Sequence, residues 1–163
     1  MPHTTTEAKA ARPKSTARLV ALRLLAQRRL TESALWSRLN RRGFSEDEVR
    51  AAVDACKADG FLDDRLFARL FVDGRTKALG NARLVAELVR RGIDRDAAES
   101  SVVTAERGEG ERLASALDKL LRTRTALSYP SAARALERLG FPSHAIYKHL
   151  RARAQAEFAA DAT

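Results

Sequence analysis

The apolar positions of this chain recur with a helical rhythm, and the rhythm itself repeats. Three segments, ALWSRLNRRGF, RLVAELVRRGI and SAARALERLGF, align without gaps, and each ends in glycine followed by a large apolar residue. Those anchors are Phe44, Ile93 and Phe141, at steps of 49 and 48 residues. Five residues beyond each come Val49, Ala98 and Ile146, and nine beyond come Val53, Val102 and Leu150, the i, i+4 spacing of one helical face. Upstream, further apolar sets stand at Leu19, Leu22, Leu25 and Ala26, then Leu66, Phe67, Leu70 and Phe71, then Leu113, Leu117, Leu120 and Leu121. Each unit therefore reads as three helices. The fold class expected is all-α, with three tandem three-helix repeats at 17–58, 59–107 and 108–155 forming an elongated, curved array. Residues 1–16, basic and aperiodic with two prolines, read as a flexible tail, and 156–163 as a frayed end.

The helix ends carry signals of their own. Gly43, Gly92 and Gly140 stand where a helix-terminating residue takes a left-handed conformation, and the apolar residue after each can fold back on the last turn. Ser45 with Glu48 forms a capping box, and Asp94 can cap the equivalent helix of the second unit. The third unit has Pro142 at that place, which predicts a helix start one residue later.

Composition changes the picture in one respect above all. The formal net charge is +9 in 163 residues, and the basic residues comprise 24 Arg and 6 Lys. Arginine is the side chain best suited to paired contacts with phosphate and carboxylate, so a polyanionic or acidic partner is expected. Aromatic content of 6% with few glycines and prolines disfavours a β-sandwich or barrel. Mean hydropathy is −0.35, with no long uncharged apolar run, so no membrane segment is expected. The first apolar run is broken by Arg23, Arg28 and Arg29, unlike a signal peptide, and a cytoplasmic location is expected. Cys56 is the single cysteine and the three histidines lack metal-ligand spacing, so neither a disulfide nor structural zinc is expected.

Catalytic motifs for nucleotide, dinucleotide, zinc-protease or serine-hydrolase chemistry do not occur in the sequence. Asp63-Asp64 could be imagined as a metal or acid-base pair. The stronger reading makes Asp63 a helix cap and Asp64 a partner of the helix dipole. Cys56 and Trp36 read as packing residues rather than a nucleophile and a stacking platform. The arginines are more informative. Three residues before each anchor stand Arg41, Arg90 and Arg138, placed by helical angles away from the apolar face. Arg38, Arg42, Arg83 and Arg91 flank that recurring position, and Arg65, Arg69, Arg75 and Lys77 add charge on the first helix of the second unit. Basic residues in a last turn also complement the helix dipole. Recurrence in three units favours a shared basic surface.

The run GFLDDRLFARLFVDGRTKALGNARLVAELVRRGI resembles the signature of RecX regulatory proteins, through Gly60, Leu62-Asp63-Asp64, Phe67-Ala68, Phe71-Val72, Arg75, Gly80, Leu84, Glu87-Leu88 and Arg91-Gly92-Ile93. The opening ALRLLAQRRLTESALWSRLNRRGF is similar to that family's first unit, and the resemblance spans roughly residues 17–153. Ala82 departs from the family's frequent Pro or Lys, and the third unit is divergent, with Tyr129-Pro130 in a linker. The resemblance implies a non-enzymatic modulator that associates with RecA filaments on single-stranded DNA and suppresses strand exchange, ATP hydrolysis and LexA-directed coprotease activity. No cofactor is expected, and a monomer is expected, with direct contact to single-stranded DNA left open. The rival from the residues themselves is a helix-turn-helix DNA-binding protein, since such proteins also use three-helix units with basic helices.

Overall fold

The computed structural model describes residues 15–75, 78–123 and 127–161, and the regular elements among them are all α-helices. They are α1 (Ala17–Gln27), α2 (Glu32–Asn40), α3 (Glu46–Ala58), α4 (Asp64–Asp73), α5 (Asn81–Val89), α6 (Arg95–Val103), α7 (Glu109–Thr123), α8 (Tyr129–Arg138) and α9 (Ser143–Asp161). The chain divides into two compact units, the first ending at Phe67 and the second beginning at Ala68, so the division falls within α4.

In the first unit α1, α2 and α3 pack around Ala21, Leu35, Leu39, Phe44, Val49, Val53 and Cys56. Phe44 is buried, and Val49 and Val53 bury the same face of α3 one turn apart. Thr31 caps α2 by accepting from the Ala34 amide at 3.1 Å. Ser45 and Glu48 complete the reciprocal box at the start of α3. Such a cap stabilises by about 1 kcal/mol. Asp63 caps α4, accepting from the Leu66 amide at 2.9 Å. Asp64 does something the dipole argument did not foresee, because its Oδ1 accepts from the Glu32 amide at 2.8 Å and so fixes the start of α2 from 32 residues away.

The second unit holds a core on α5 and α6 and another among α7, α8 and α9. Leu84, Leu88, Ile93, Ala98 and Val102 are buried on α5, α6 and their turn. Leu113, Leu117, Ala132, Leu136, Phe141, Ile146 and Leu150 fill the last core. The three anchor turns are alike in backbone. Gly43, Gly92 and Gly140 have φ of 82°, 83° and 88°, and each following helix starts two residues after its anchor, at Glu46, Arg95 and Ser143. The later start expected for α9 is therefore corrected. Pro142 supplies its carbonyl to the Ala145 and Ile146 amides at 3.0 and 3.1 Å, and a fixed proline φ suits a helix entrance. Gly60 ends α3 in the same way, with φ of 75°.

Two further expectations change. Leu19 and Leu70 are exposed, and the first helices of repeats one and two, α1 and α4, bury Ala17, Ala21, Ala68 and Val72 instead. Small residues occupy the close contacts there, while the leucines beside them lie at the margins. Secondly, α9 runs as helix to Asp161, past the start of the expected fraying at 156, supported by Arg153 on Glu157 at 3.1 Å one turn on. The tail at 1–14, Lys77 and the last two residues lie outside the described residues.

The two cores of the second unit meet at a joint. Arg112 of α7, buried, donates to the carbonyls of Leu79 at 3.0 Å and Arg107 at 2.7 Å and to the side-chain oxygen of Asn81. The Asn81 amide in turn donates to Glu109 at 2.6 Å. The Gly80 amide donates to the Leu139 carbonyl at 2.9 Å. The amino end of α5 is thus seated on the carboxyl end of α8, where their dipoles are complementary.

Candidate basic interface

In the first unit the structure gathers Arg28, Arg38, Arg41 and Arg42 at the ends of α1 and α2. Partial burial, followed by the charges of Arg28, Arg41 and Arg42, lowers the pKa of the Arg38 guanidinium. Arg28 was missed from sequence because it follows α1 rather than an anchor helix; its adjacency to Arg29 was the available signal. Arg41 Nε donates to the Ser37 carbonyl at 3.3 Å and Arg42 to the Arg38 carbonyl at 3.0 Å. Both therefore complement the carboxyl end of α2, as the dipole reading holds. A guanidinium has five donors, so this use leaves most of each group for another acceptor.

A second group forms in the other unit around buried Glu87. Its carboxylate pairs with Arg75 and, at 3.5 Å, with Arg83, while its backbone carbonyl accepts from Arg91 at 2.9 Å. Arg75 and Arg91 both stand over the half-buried ring of Phe71, at 4.3 and 4.4 Å from its centroid. Phe71, Arg75, Glu87 and Arg91, scattered over 21 residues of sequence, are one contact cluster. Burial, with Arg91 and Arg83 adding to it, lowers the Arg75 pKa. Arg75 and Arg83 are thus partly committed to an internal carboxylate, and Arg91 to its helix end and the ring.

The remaining candidates are separate. Arg65 and Arg69 lie exposed on α4. Arg90 and Arg138 lie exposed at the carboxyl ends of α5 and α8, matching Arg41 on α2, and neither makes a hydrogen bond or ion pair among the described residues. Their guanidinium groups can offer paired N–H donors to phosphate or carboxylate.

Among the described residues no group of three or more histidine, cysteine, aspartate or glutamate side chains is placed to hold a metal ion, and no helix is long and apolar enough to cross a membrane. Cys56 is fully buried, and burial raises its thiol pKa, which opposes a nucleophilic thiolate.

Comparison with known proteins agrees with this architecture. Residues 17–56 match the family description "RecX, first three-helix domain", and residues 63–101 match "RecX, second three-helix domain". The chain is 38% identical over 122 residues to the regulatory protein RecX of Thermus thermophilus, covering 75% of this chain and 81% of that one. It is 37% identical over 103 residues to the regulatory protein RecX of Mycobacterium avium, covering 60% of each. The crystal structure of RecX from Lactobacillus salivarius superposes with a TM-score of 0.74 at 18% identity, covering 83% of this chain and 92% of that one, a likeness of fold.

Proposed function

The chain belongs to the RecX family of regulatory proteins, and from that premise we propose that it binds RecA filaments on single-stranded DNA and inhibits them without chemistry of its own. The activities restrained are strand exchange, ATP hydrolysis and coprotease action, and the setting is the cytoplasm. The supporting observation is the cluster of Arg28, Arg38, Arg41 and Arg42 on a chain of net charge +9. A nucleoprotein filament offers both phosphates and carboxylates, and arginine forks suit either. Arg90 and Arg138, placed like Arg41 on their own helices, extend the same chemistry to the other repeats. Several weak contacts on one chain then add through effective concentration rather than through any single strong pair.

The helix-turn-helix alternative fares worse on charge. In that mode the amino-terminal residues of the second helix approach base edges in the major groove. Here the first turn of α3 carries Glu46, Asp47 and Glu48, and α6 is preceded by Asp94 and carries Asp96. Those carboxylates repel a phosphate-lined groove. The test is co-sedimentation with RecA filaments on single-stranded DNA beside binding to duplex fragments. Saturable filament association with only salt-sensitive, sequence-independent duplex binding is expected; tight sequence-specific duplex binding without filament association overturns the proposal.

A further inference from the structure

Helix α9 presents a face that the last three-helix core does not use. His144, Tyr147, Lys148, Arg151, Ala152 and Gln155 line an open groove along it. At about 100° per residue, Tyr147, Phe158, Arg151, His144, Gln155 and Lys148 fall within an arc of roughly 100°. Two aromatic rings stand in the open there, Tyr147 being 57% and Phe158 78% exposed. Glu157, the first carboxylate along this helix, is engaged elsewhere, because it accepts from Arg153 at 3.1 Å and from the Tyr129 hydroxyl at 2.8 Å. Arg153 is further paired with Asp118 at 2.7 Å. From 143 to 156 the sequence holds no carboxylate. His144, Lys148 and Arg151 make no ion pair among the described residues.

We propose that this face of α9 binds single-stranded nucleic acid, with Tyr147 stacking on an unpaired base and Lys148 and Arg151 taking the flanking phosphates. The cations stand one residue and one turn after the tyrosine, so an aromatic plane and positive charge alternate as bases and phosphates do along a strand. Phe158, 11 residues on, stands about 16 Å further along the axis and offers a second plane several nucleotides away. A duplex hides its base faces and cannot use the rings. An anionic membrane needs a continuous apolar stripe, and here His144, Arg151 and Gln155 interrupt it. The inference deepens the regulatory reading and rests on it only in choosing a strand of DNA; its binding assay contains no RecA.

The experiment is fluorescence anisotropy of a labelled oligothymidylate with the full chain, across a salt series. Tyr147→Ala is expected to weaken binding by about 5- to 150-fold, the equivalent of one lost stacking contact. Tyr147→Phe keeps the ring and is expected to bind as the unsubstituted protein does. Lys148→Ala with Arg151→Ala is expected to lower the slope of log affinity against log salt by about 1.4, at about 0.7 per cation on a single strand. Affinity for a duplex of equal length should not change with Tyr147→Ala. All these side chains are exposed, and unchanged circular dichroism and denaturation midpoint establish that each variant folds. Undiminished oligothymidylate binding in both variants, or an equal loss on duplex, overturns the proposal. So does binding to phosphatidylserine vesicles that needs Tyr147 when the oligothymidylate does not. RecA ATP hydrolysis measured in parallel separates the two readings: no inhibition with α9-dependent strand binding defeats the regulatory reading alone, and the reverse defeats this one alone.

Discussion

Gly80 lies against Gly140 so closely that a Cβ on Gly80 would overlap the Gly140 carbonyl group, while a Cβ on Gly140 would stand 2.5 Å from the Cβ of Arg83. The amino end of α5 and the carboxyl end of α8 can meet there only because neither residue has a side chain.

The glycines should therefore rank in cost when each is replaced by alanine. Gly43 has φ of 82° and open space around it, so Gly43→Ala carries only the left-handed backbone penalty, about 1 to 2 kcal/mol. Gly80→Ala forces the joint apart and should cost about 1 to 3 kcal/mol. Gly140→Ala incurs both penalties and should be the most destabilising. Equilibrium denaturation of the three variants gives the order; no loss in Gly80→Ala, with Gly140→Ala costing no more than Gly43→Ala, would show that the joint yields freely.

The cluster at Phe71 predicts a second set of values. Removing Glu87 leaves Arg75 and Arg83 facing each other without their carboxylate. Because both guanidinium groups are partly solvated, Glu87→Ala should cost about 1 to 3 kcal/mol, less than a fully buried pair. Phe71 is half-buried rather than enclosed, so Phe71→Ala should cost about 1 to 3 kcal/mol. A double-mutant cycle of Phe71→Ala with Arg91→Ala should reveal a coupling of about 0.5 to 1 kcal/mol from the cation over the ring. Additive losses would remove that contact from the account.

Burial raises the Asp64 pKa above its ordinary 3.8, and the hydrogen bond from the Glu32 amide opposes this only in part. The folded state then holds the proton more tightly than the unfolded state. Stability from this group is greatest below 3.8 and declines as pH rises through the raised folded value. Asp64→Asn retains an acceptor for the Glu32 amide without the charge, so it should flatten that decline, whereas Asp64→Ala should flatten it too and also lose the cap, costing about 1 kcal/mol at the acid end where the carboxyl is protonated. Denaturation midpoints from pH about 3 to 7 test it; an unchanged pH profile in Asp64→Asn would contradict the assignment.

Much of this fold was legible in the sequence because its strongest signals are local. A glycine, an apolar anchor and two more apolar residues on the next helix fall within eleven positions, so Phe44, Ile93 and Phe141 could be placed without knowing what they touch. The first helices were less legible. Periodicity offered leucine-rich faces, and the choice of Ala21 and Ala68 over Leu19 and Leu70 depends on how closely neighbouring helices approach, which no local pattern states. The same holds for Arg112, one more arginine in sequence but a buried clamp across 31 to 33 residues. Arg75 looked like surface charge and is joined to Glu87, 12 residues on, beside the ring of Phe71. The α9 face carries no repeated signal, because its tyrosine and cations follow the third anchor and have no counterparts after Phe44 and Ile93.

Arg41, Arg90 and Arg138 can be tested together. All three are exposed, so the triple alanine variant should fold with a change of less than about 0.5 kcal/mol per site. Each lost charge-assisted contact should weaken filament binding by about 1 to 3 kcal/mol. Sedimentation with RecA filaments across a salt series should show both a lower affinity and a shallower salt slope. Unaltered affinity and slope would assign these groups to the helix ends alone and move the contact to Arg28, Arg38, Arg65 and Arg69.

The most direct test of the regulatory account is titration of the purified chain into RecA hydrolysing ATP on single-stranded DNA. The account predicts that hydrolysis falls at substoichiometric to stoichiometric protein, that the chain alone hydrolyses no ATP, and that the Arg41, Arg90 and Arg138 triple variant needs a higher concentration for the same effect. Hydrolysis that stays constant at saturating protein would contradict it.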